Sequence, residues 1–283
     1  MSSRPKIVIV GAGSLAAGLA PALHTAGYAI TEIISRSTPG SCQRARRLAA
    51  KVGARATPIL AANLDASLLW FCVPDREIRT AAVSFAGHAL GRIKYAFHSS
   101  GALASRELAP LRKRGIAVAS VHPLMTFVPG SQPTLEGVTF ALEGDAPAIR
   151  IARRIVRDLG GESFLLPASR KAAYHAWATL TSPLLLAFFV TLEDAAQTAG
   201  LTKPTSRRMS LPIIRQTLAN YSALGPERSF SGPIIRGDAA TVAKHLAVLR
   251  KVPRAREVYV ALARAALRGL PARNQHELRR LLR

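Results

Sequence analysis

Acidic residues are scarce in this chain. Sixteen Asp and Glu stand against 39 Lys and Arg, a formal charge of +23 over 283 residues. Such an excess admits nucleic acid or another anionic surface as a partner, but its distribution argues otherwise. It amounts to +8 up to Asp145 and +15 beyond, with no run of five or six basic residues that would mark a binding tail. Arginines sit singly or in pairs on helix-like stretches, as at Arg44, Arg46 and Arg47 or at Arg264 and Arg268. RNP-like aromatic strings, zinc-finger spacings and coiled-coil basic regions are absent. The charge reads as a solvated surface that helps draw in an anionic cofactor and substrate, and nucleic acid is not expected as a partner.

Cysteine is nearly absent too. Cys42 and Cys72 form neither a disulfide framework nor a zinc-site spacing, so no metal is expected and a reduced cytoplasmic setting is. A secretory leader is not expected, because Met1 to Lys6 ("MSSRPK") runs directly into a strand-like apolar run. Charge is missing from one long stretch, the 21 residues from Ala172 to Leu192, and about 20 apolar residues suffice to cross a bilayer. Tyr174, His175, Thr179, Thr181 and Ser182 in its first half, and the interruption at Pro183, favour a long helix buried within a domain or between two subunits. No membrane partner is expected.

With 49 % apolar residues the chain can build a proper core. Its first half alternates strand-like and helix-like runs. Strands are expected at Lys6–Val10, Ala29–Ile34, near Ala56–Leu60, and at Leu68–Val73, Ile93–His98, Ala117–Val121 and Gly137–Leu142. Helices are expected from the glycine turn to Thr25 and at Ser41–Val52, Asp75–Ala86, Ala104–Arg114 and Pro147–Leu159. Repeated β-then-α units imply a doubly wound parallel sheet with helices on both faces. After Pro167 the strand-like runs cease, and Gly/Pro punctuation separates helices to the end. The expected organisation is an α/β domain over 1–166 and an all-helical domain over 167–283.

The first strand ends in Gly11-Ala12-Gly13-Ser14-Leu15-Ala16, a G-x-G-x-x-A match. Gly11 permits the tight turn, Gly13 lets the backbone approach a pyrophosphate, and Ala16 lets helix and strand pack closely. Helix N–H groups at Ser14 and Leu15 then face the phosphates. About 20 residues on, where a carboxylate would bind an NAD ribose, the chain has Ser35-Arg36-Ser37. A guanidinium flanked by hydroxyls favours a 2′-phosphate, hence NADP over NAD.

Other strand ends also count, because ligands of such sheets bind beyond them. Val73 and Pro74 follow the fourth strand, with Asp75 expected to cap the next helix. Ser99 and Ser100 follow the fifth, and His122 the sixth, with either a substrate or proton-transfer role or a plain structural one. Further on, Lys171 and His175 lie four apart and share a helix face, so they could hold a carboxylate and supply a proton. A charged first turn and a core histidine is the bland alternative. In Ser231–Asp238 the aspartate is most simply an N-cap, while Arg236 could reach a substrate anion or a neighbouring subunit.

The strings "IVIVGAGSLAAGLAPAL", "FCVPDREI", "HSSGALASRELAPLR", "SVHPLMTF", "FALEGD", "KAAYHAWATL" and "SGPIIRGDAATVAKHL" occur in an order similar to that of the bacterial Rossmann-like family with the DUF2520 C-terminal domain. That family resembles pyrroline-5-carboxylate reductase and the 6-phosphogluconate dehydrogenase-like superfamily. The resemblance implies an N-terminal Rossmann domain that binds NADP(H), a helical second domain, and a homodimer through the C-terminal helices. One departure stands out: relatives continue the long helix with Ala-Ser-Asn, whereas this chain has Thr181-Ser182-Pro183, leaving Ser182 as the surviving polar contact.

The expected activity is NADP-dependent reduction of a C=O or C=N bond in a small, carboxylate-bearing metabolite. Lys171, His175 and His122 are the catalytic candidates. Ser100, His122, Ser182 and Arg236 are candidates for substrate. The alternative is an NADP-binding sensor or scaffold without turnover.

Overall fold

The computed structural model describes residues 4–283, whose backbone groups into one unit reaching to Thr179 and another spanning Leu180–Arg283. The first unit opens with β1 (Ile7–Val10), α1 (Ser14–Thr25), β2 (Ile30–Ser35), α2 (Pro39–Val52) and β3 (Arg55–Pro58). It continues with β4 (Leu68–Phe71), α3 (Asp75–Ala86), β5 (Tyr95–His98), α4 (Ala109–Arg112) and β6 (Ala117–Pro123). Then come β7 (Thr139–Gly144), α5 (Ala146–Asp158), β8 (Glu162–Leu165) and the start of α6 (Lys171–Thr181).

Among the described residues these strands form one eight-stranded sheet of order β3-β2-β1-β4-β5-β6-β7-β8. All neighbours pair parallel except β6 and β7. The order reverses between β1 and β4, the switch point where such sheets open a crevice. Alternation along β1 sends Ile7 and Ile9 into a core with Leu19, Leu48, Trp70, Phe97 and Ile155, and Val8 and Val10 into a second with Phe71, Ile78 and Phe85. Strands covered on both faces explain the unbroken apolar runs. Helix α5 shows the one-sided version: Ala148, Ala152, Ile155 and Val156 are buried while Arg150, Arg153 and Arg157 are exposed.

The doubly wound architecture is as the sequence implies, with three local differences. The eighth strand, "ESFL", was not anticipated; it is a largely exposed edge strand and lacks an apolar signature. The run Ala104–Arg114 is not one helix but a 3-10 turn, Ser105–Leu108, followed by the single turn of α4. Asp75 does not cap α3. Pro74 holds the cap position, and the Asp75 carboxylate instead accepts a hydrogen bond from Ser100 Oγ at 2.7 Å.

The second unit carries α7 (Pro183–Ala196), α8 (Lys203–Ser229, bent at Gly225), α9 (Pro233–Arg236), α10 (Ala239–Leu249), α11 (Pro253–Gly269) and α12 (Gln275–Leu281). Its core gathers Val242, Leu246, Ala263, Leu267, Leu278 and Leu282. Asp238 caps α10 as expected, accepting from Thr241 N at 2.9 Å. By length and composition Ala168–Ala199 could cross a membrane, but the backbone leaves helical geometry at Ser182 and Pro183 starts a new helix. The single long helix expected there is therefore two, and only 6 % of the apolar window is buried within the chain.

Candidate functional site

A cleft of about 480 Å³ opens at the carboxyl ends of β1, β2 and β4. Its floor is the glycine turn. Gly11 has φ +107°, and a Cβ there would fall 2.5 Å from the Cys72 carbonyl oxygen, so fold geometry alone excludes any larger residue. Gly13 differs. Its φ is −84°, and nothing lies within 4 Å of where a Cβ would sit. Ser14 opens α1, Leu15 packs against the core, and Ala16 is fully buried where helix meets strand.

The far wall is built at the end of β2. Ser35 and Arg36 line the cleft, as do Ser41 and Arg44 from the first turns of α2. Ser41 Oγ accepts from Thr38 Oγ1 at 2.9 Å and from Arg44 Nη2 at 3.2 Å. Ser37 is exposed and is not part of the wall. Arg36 is two-thirds exposed and its Nη1 lies 3.3 Å from Glu77 Oε1 on α3. The acid of β2, Glu32, is buried within the sheet. It receives bonds from Arg55 at 2.7 Å, Thr57 at 3.1 Å and Leu64 N at 3.0 Å, and does not line the cleft.

Val73 and Pro74 complete the wall after β4. From there Asp75 leads, through its bond to Ser100, into a polar cluster beyond β5 and β6. Ser100 is committed to the loop: its Oγ also accepts from Ala102 N at 3.2 Å and Leu103 N at 2.9 Å. Ser99 Oγ accepts from Trp70 Nε1 at 2.9 Å. Lys171, 1 % exposed, donates to the Ser100 carbonyl at 3.1 Å and to Ser120 Oγ at 2.7 Å. Burial pushes its ammonium down to about 8, against the opposing pull of Glu143 and Asp75.

His122 Nδ1 meets the Tyr174 hydroxyl at 2.9 Å, with the two rings edge to face. Burial, then the charge of Lys171, drives His122 down to about 4, so it is neutral at pH 7. Burial raises Tyr174 to about 12, which keeps its proton in place. His98 is likewise lowered to about 4 by burial. Its Nδ1 accepts from Ser100 N, which leaves Nε2–H to donate to the Ala104 carbonyl. His175 is exposed, 6.3 Å from His122 between ring centroids. A Cβ on Gly101 would lie 2.6 Å from the His175 ring and 2.8 Å from His122 Nε2.

The structure thus assembles Ser100, His122, Lys171 and His175 around Gly101, all in the first unit. Ser182 precedes α7 and Arg236 ends α9, both in the helical unit.

Residues 1–123 match the model of a Rossmann-like domain, and residues 138–266 match the domain of unknown function DUF2520. The chain thus joins a Rossmann-like domain to a DUF2520 domain. This DUF2520 protein is similar to a Bacteroides fragilis protein named as a candidate NADP oxidoreductase, at 23 % identity and TM-score 0.76 over 92 % of this chain and 97 % of that one. It is also similar to protein TM1727 of Thermotoga maritima, at 27 % identity and TM-score 0.70 over 92 % and 96 %. A pyrroline-5-carboxylate reductase from Coxiella burnetii shares the fold at 14 % identity and TM-score 0.62 over 93 % and 98 %. No curated protein matches the chain.

Several residues of the DUF2520 protein's cleft and cluster were not picked out from sequence. Tyr174 and Ser120 lie within the strings "KAAYHAWATL" and "SVHPLMTF" but were given no role of their own. Arg44 was read as surface charge, although its spacing of one helical turn from Ser41 would have placed both on one face of α2. Glu77 was passed over because its partner, Arg36, is 41 residues away.

Proposed function

We propose that this chain is an NADP-dependent oxidoreductase that reduces a C=O or C=N bond of a small, carboxylate-bearing metabolite. The observation that supports this most is Gly13. Neither its backbone angles nor its neighbours require glycine, whereas a pyrophosphate seated over the turn would. Arg36, Arg44 and Ser41 supply cations and a hydroxyl where a 2′-phosphate would lie. The names of the Bacteroides and Coxiella neighbours point the same way.

A bound reduced nicotinamide supplies the hydride, and the protein supplies position and a proton. Reduction of a ketone also needs a proton on oxygen. Tyr174 and neutral His122 form a hydrogen-bonded pair that holds one at neutral pH. Lys171, poised near 8, fixes the Ser100 carbonyl and orders the loop beneath them. The exposed apolar side chains of α7 and α8, Leu186 and Leu218 among them, support a homodimer through the helical unit.

The test is a fluorescence titration with NADPH and NADH, followed by NADPH oxidation against 2-oxo acids and cyclic imines. Tighter NADPH binding with turnover of some panel member is expected. No binding of either coenzyme sinks the proposal. One observation favours a sensor instead: Lys171 and Ser100 are already paired within the protein. Binding without turnover across the panel would select that reading.

A further inference from the structure

The Arg36–Glu77 pair spans the cleft. Arg36 follows the last residue of β2, Glu77 lies in the first turn of α3, and both side chains line the same cavity. Among the described residues lining it, Glu77 is the one acid, set against the guanidinium groups of Arg36 and Arg44. The two arginines are not equivalent. Arg44 is held by a neutral hydroxyl, that of Ser41, and keeps its full charge for a ligand. Arg36 is engaged by a carboxylate at 3.3 Å, with 67 % of its own side chain and 27 % of the Glu77 side chain exposed.

A pair this exposed adds little to the fold, so stability is a poor reason for an acid in a cavity that otherwise gathers positive charge. Its consequence falls on the ligand. An anion arriving at Arg36 must displace the carboxylate and then sit beside it, while an uncharged ribose hydroxyl meets no such penalty.

We propose that Glu77 is a specificity-determining residue that competes with the coenzyme 2′-phosphate for Arg36 and so narrows the preference for NADPH over NADH. This rests on the nucleotide-binding reading above and adds to it a residue that weakens the phosphorylated ligand selectively. Arg44 and Ser41 then provide the uncontested part of the phosphate site, and Arg36 the tunable part.

The experiment measures dissociation constants of NADPH, NADH, adenosine 2′,5′-bisphosphate and AMP for the wild type, Glu77→Gln, Arg36→Ala and the double variant. Glu77→Gln is expected to tighten NADPH and the bisphosphate about fivefold, the scale of an exposed ion pair, and to leave NADH and AMP within about twofold. In the Arg36→Ala background the Glu77→Gln gain should shrink, because the contested group is gone. Weaker NADPH binding in Glu77→Gln would overturn the proposal by making Glu77 a support for Arg36. Weaker NADH and AMP binding would overturn it by making Glu77 a ribose ligand. A wild type that binds none of the four ligands defeats the nucleotide reading itself, an outcome distinct from binding that is indifferent to Glu77.

Discussion

The two units bury their apolar residues to very different extents. In the first, β1 and β4 are enclosed on both faces, and Trp70, Phe71, Phe85 and Phe97 have at most 1 % exposure. In the second, α8 runs for 27 residues and buries only Ser206. Leu211, Leu218 and Tyr221, spaced to share one face of α8, remain exposed. The α/β unit therefore closes its own core, while the helical unit leaves apolar surface exposed. A DUF2520 protein built this way should respond to damage differently in its two halves.

The largest contrast is expected from truncation. Phe97 packs edge to face on Trp70 at 5.3 Å with no exposure, so Phe97→Ala should cost about 3–5 kcal/mol in chemical denaturation. Leu218→Ala, at an exposed site, should change the stability of the isolated chain by less than about 1 kcal/mol. Equal losses would break the comparison.

Acid should discriminate next. His98 has no exposure and its folded pKa lies near 4 against an unfolded value of 6.5. The unfolded chain then binds more protons between those values. Stability is therefore complete above pH 6.5 and falls as pH drops toward 4, by about 3 kcal/mol from His98. His122 adds in the same direction. Unfolding in denaturant, followed by tryptophan fluorescence from pH 7 to 4, checks this, and His98→Asn should flatten the slope. Association provides the third test: Leu218→Glu should convert a dimer to monomers in light scattering while leaving coenzyme binding intact. A wild type that is monomeric at micromolar concentration would remove the proposed role for the exposed face.

The alternation of Ile7–Val10, Leu68–Phe71 and their intervening helices made the doubly wound sheet legible in sequence, because strands buried on both faces leave continuous apolar runs. The glycine turn and Arg36 were legible for a similar reason: each answers to a local rule of spacing. What escaped depends on long-range pairing. The Tyr174–His122 contact joins residues 52 apart, Lys171 reaches Ser120 across 51, and Asp75 meets Ser100 across 25. No local pattern marks such partners. Asp75 shows the cost of trusting the local rule: an acid after Pro74 reads as a helix cap, but Ser100 claims it.

The smallest effect on stability, and the sharpest on function, is expected at Gly13. The self-sufficient unit has filled the space around Gly11, where Gly11→Ala must accept both φ +107° and a 2.5 Å approach to the Cys72 carbonyl, at about 2–3 kcal/mol. Around Gly13 it has left the space open. Gly13→Ala should therefore be neutral within about 0.5 kcal/mol in denaturation, yet weaken NADPH at least tenfold, about 1.4 kcal/mol, because the added methyl would occupy the position a pyrophosphate needs. If Gly13→Ala binds NADPH as the wild type does, the open space above the turn belongs to solvent, and the argument from that glycine to a dinucleotide fails.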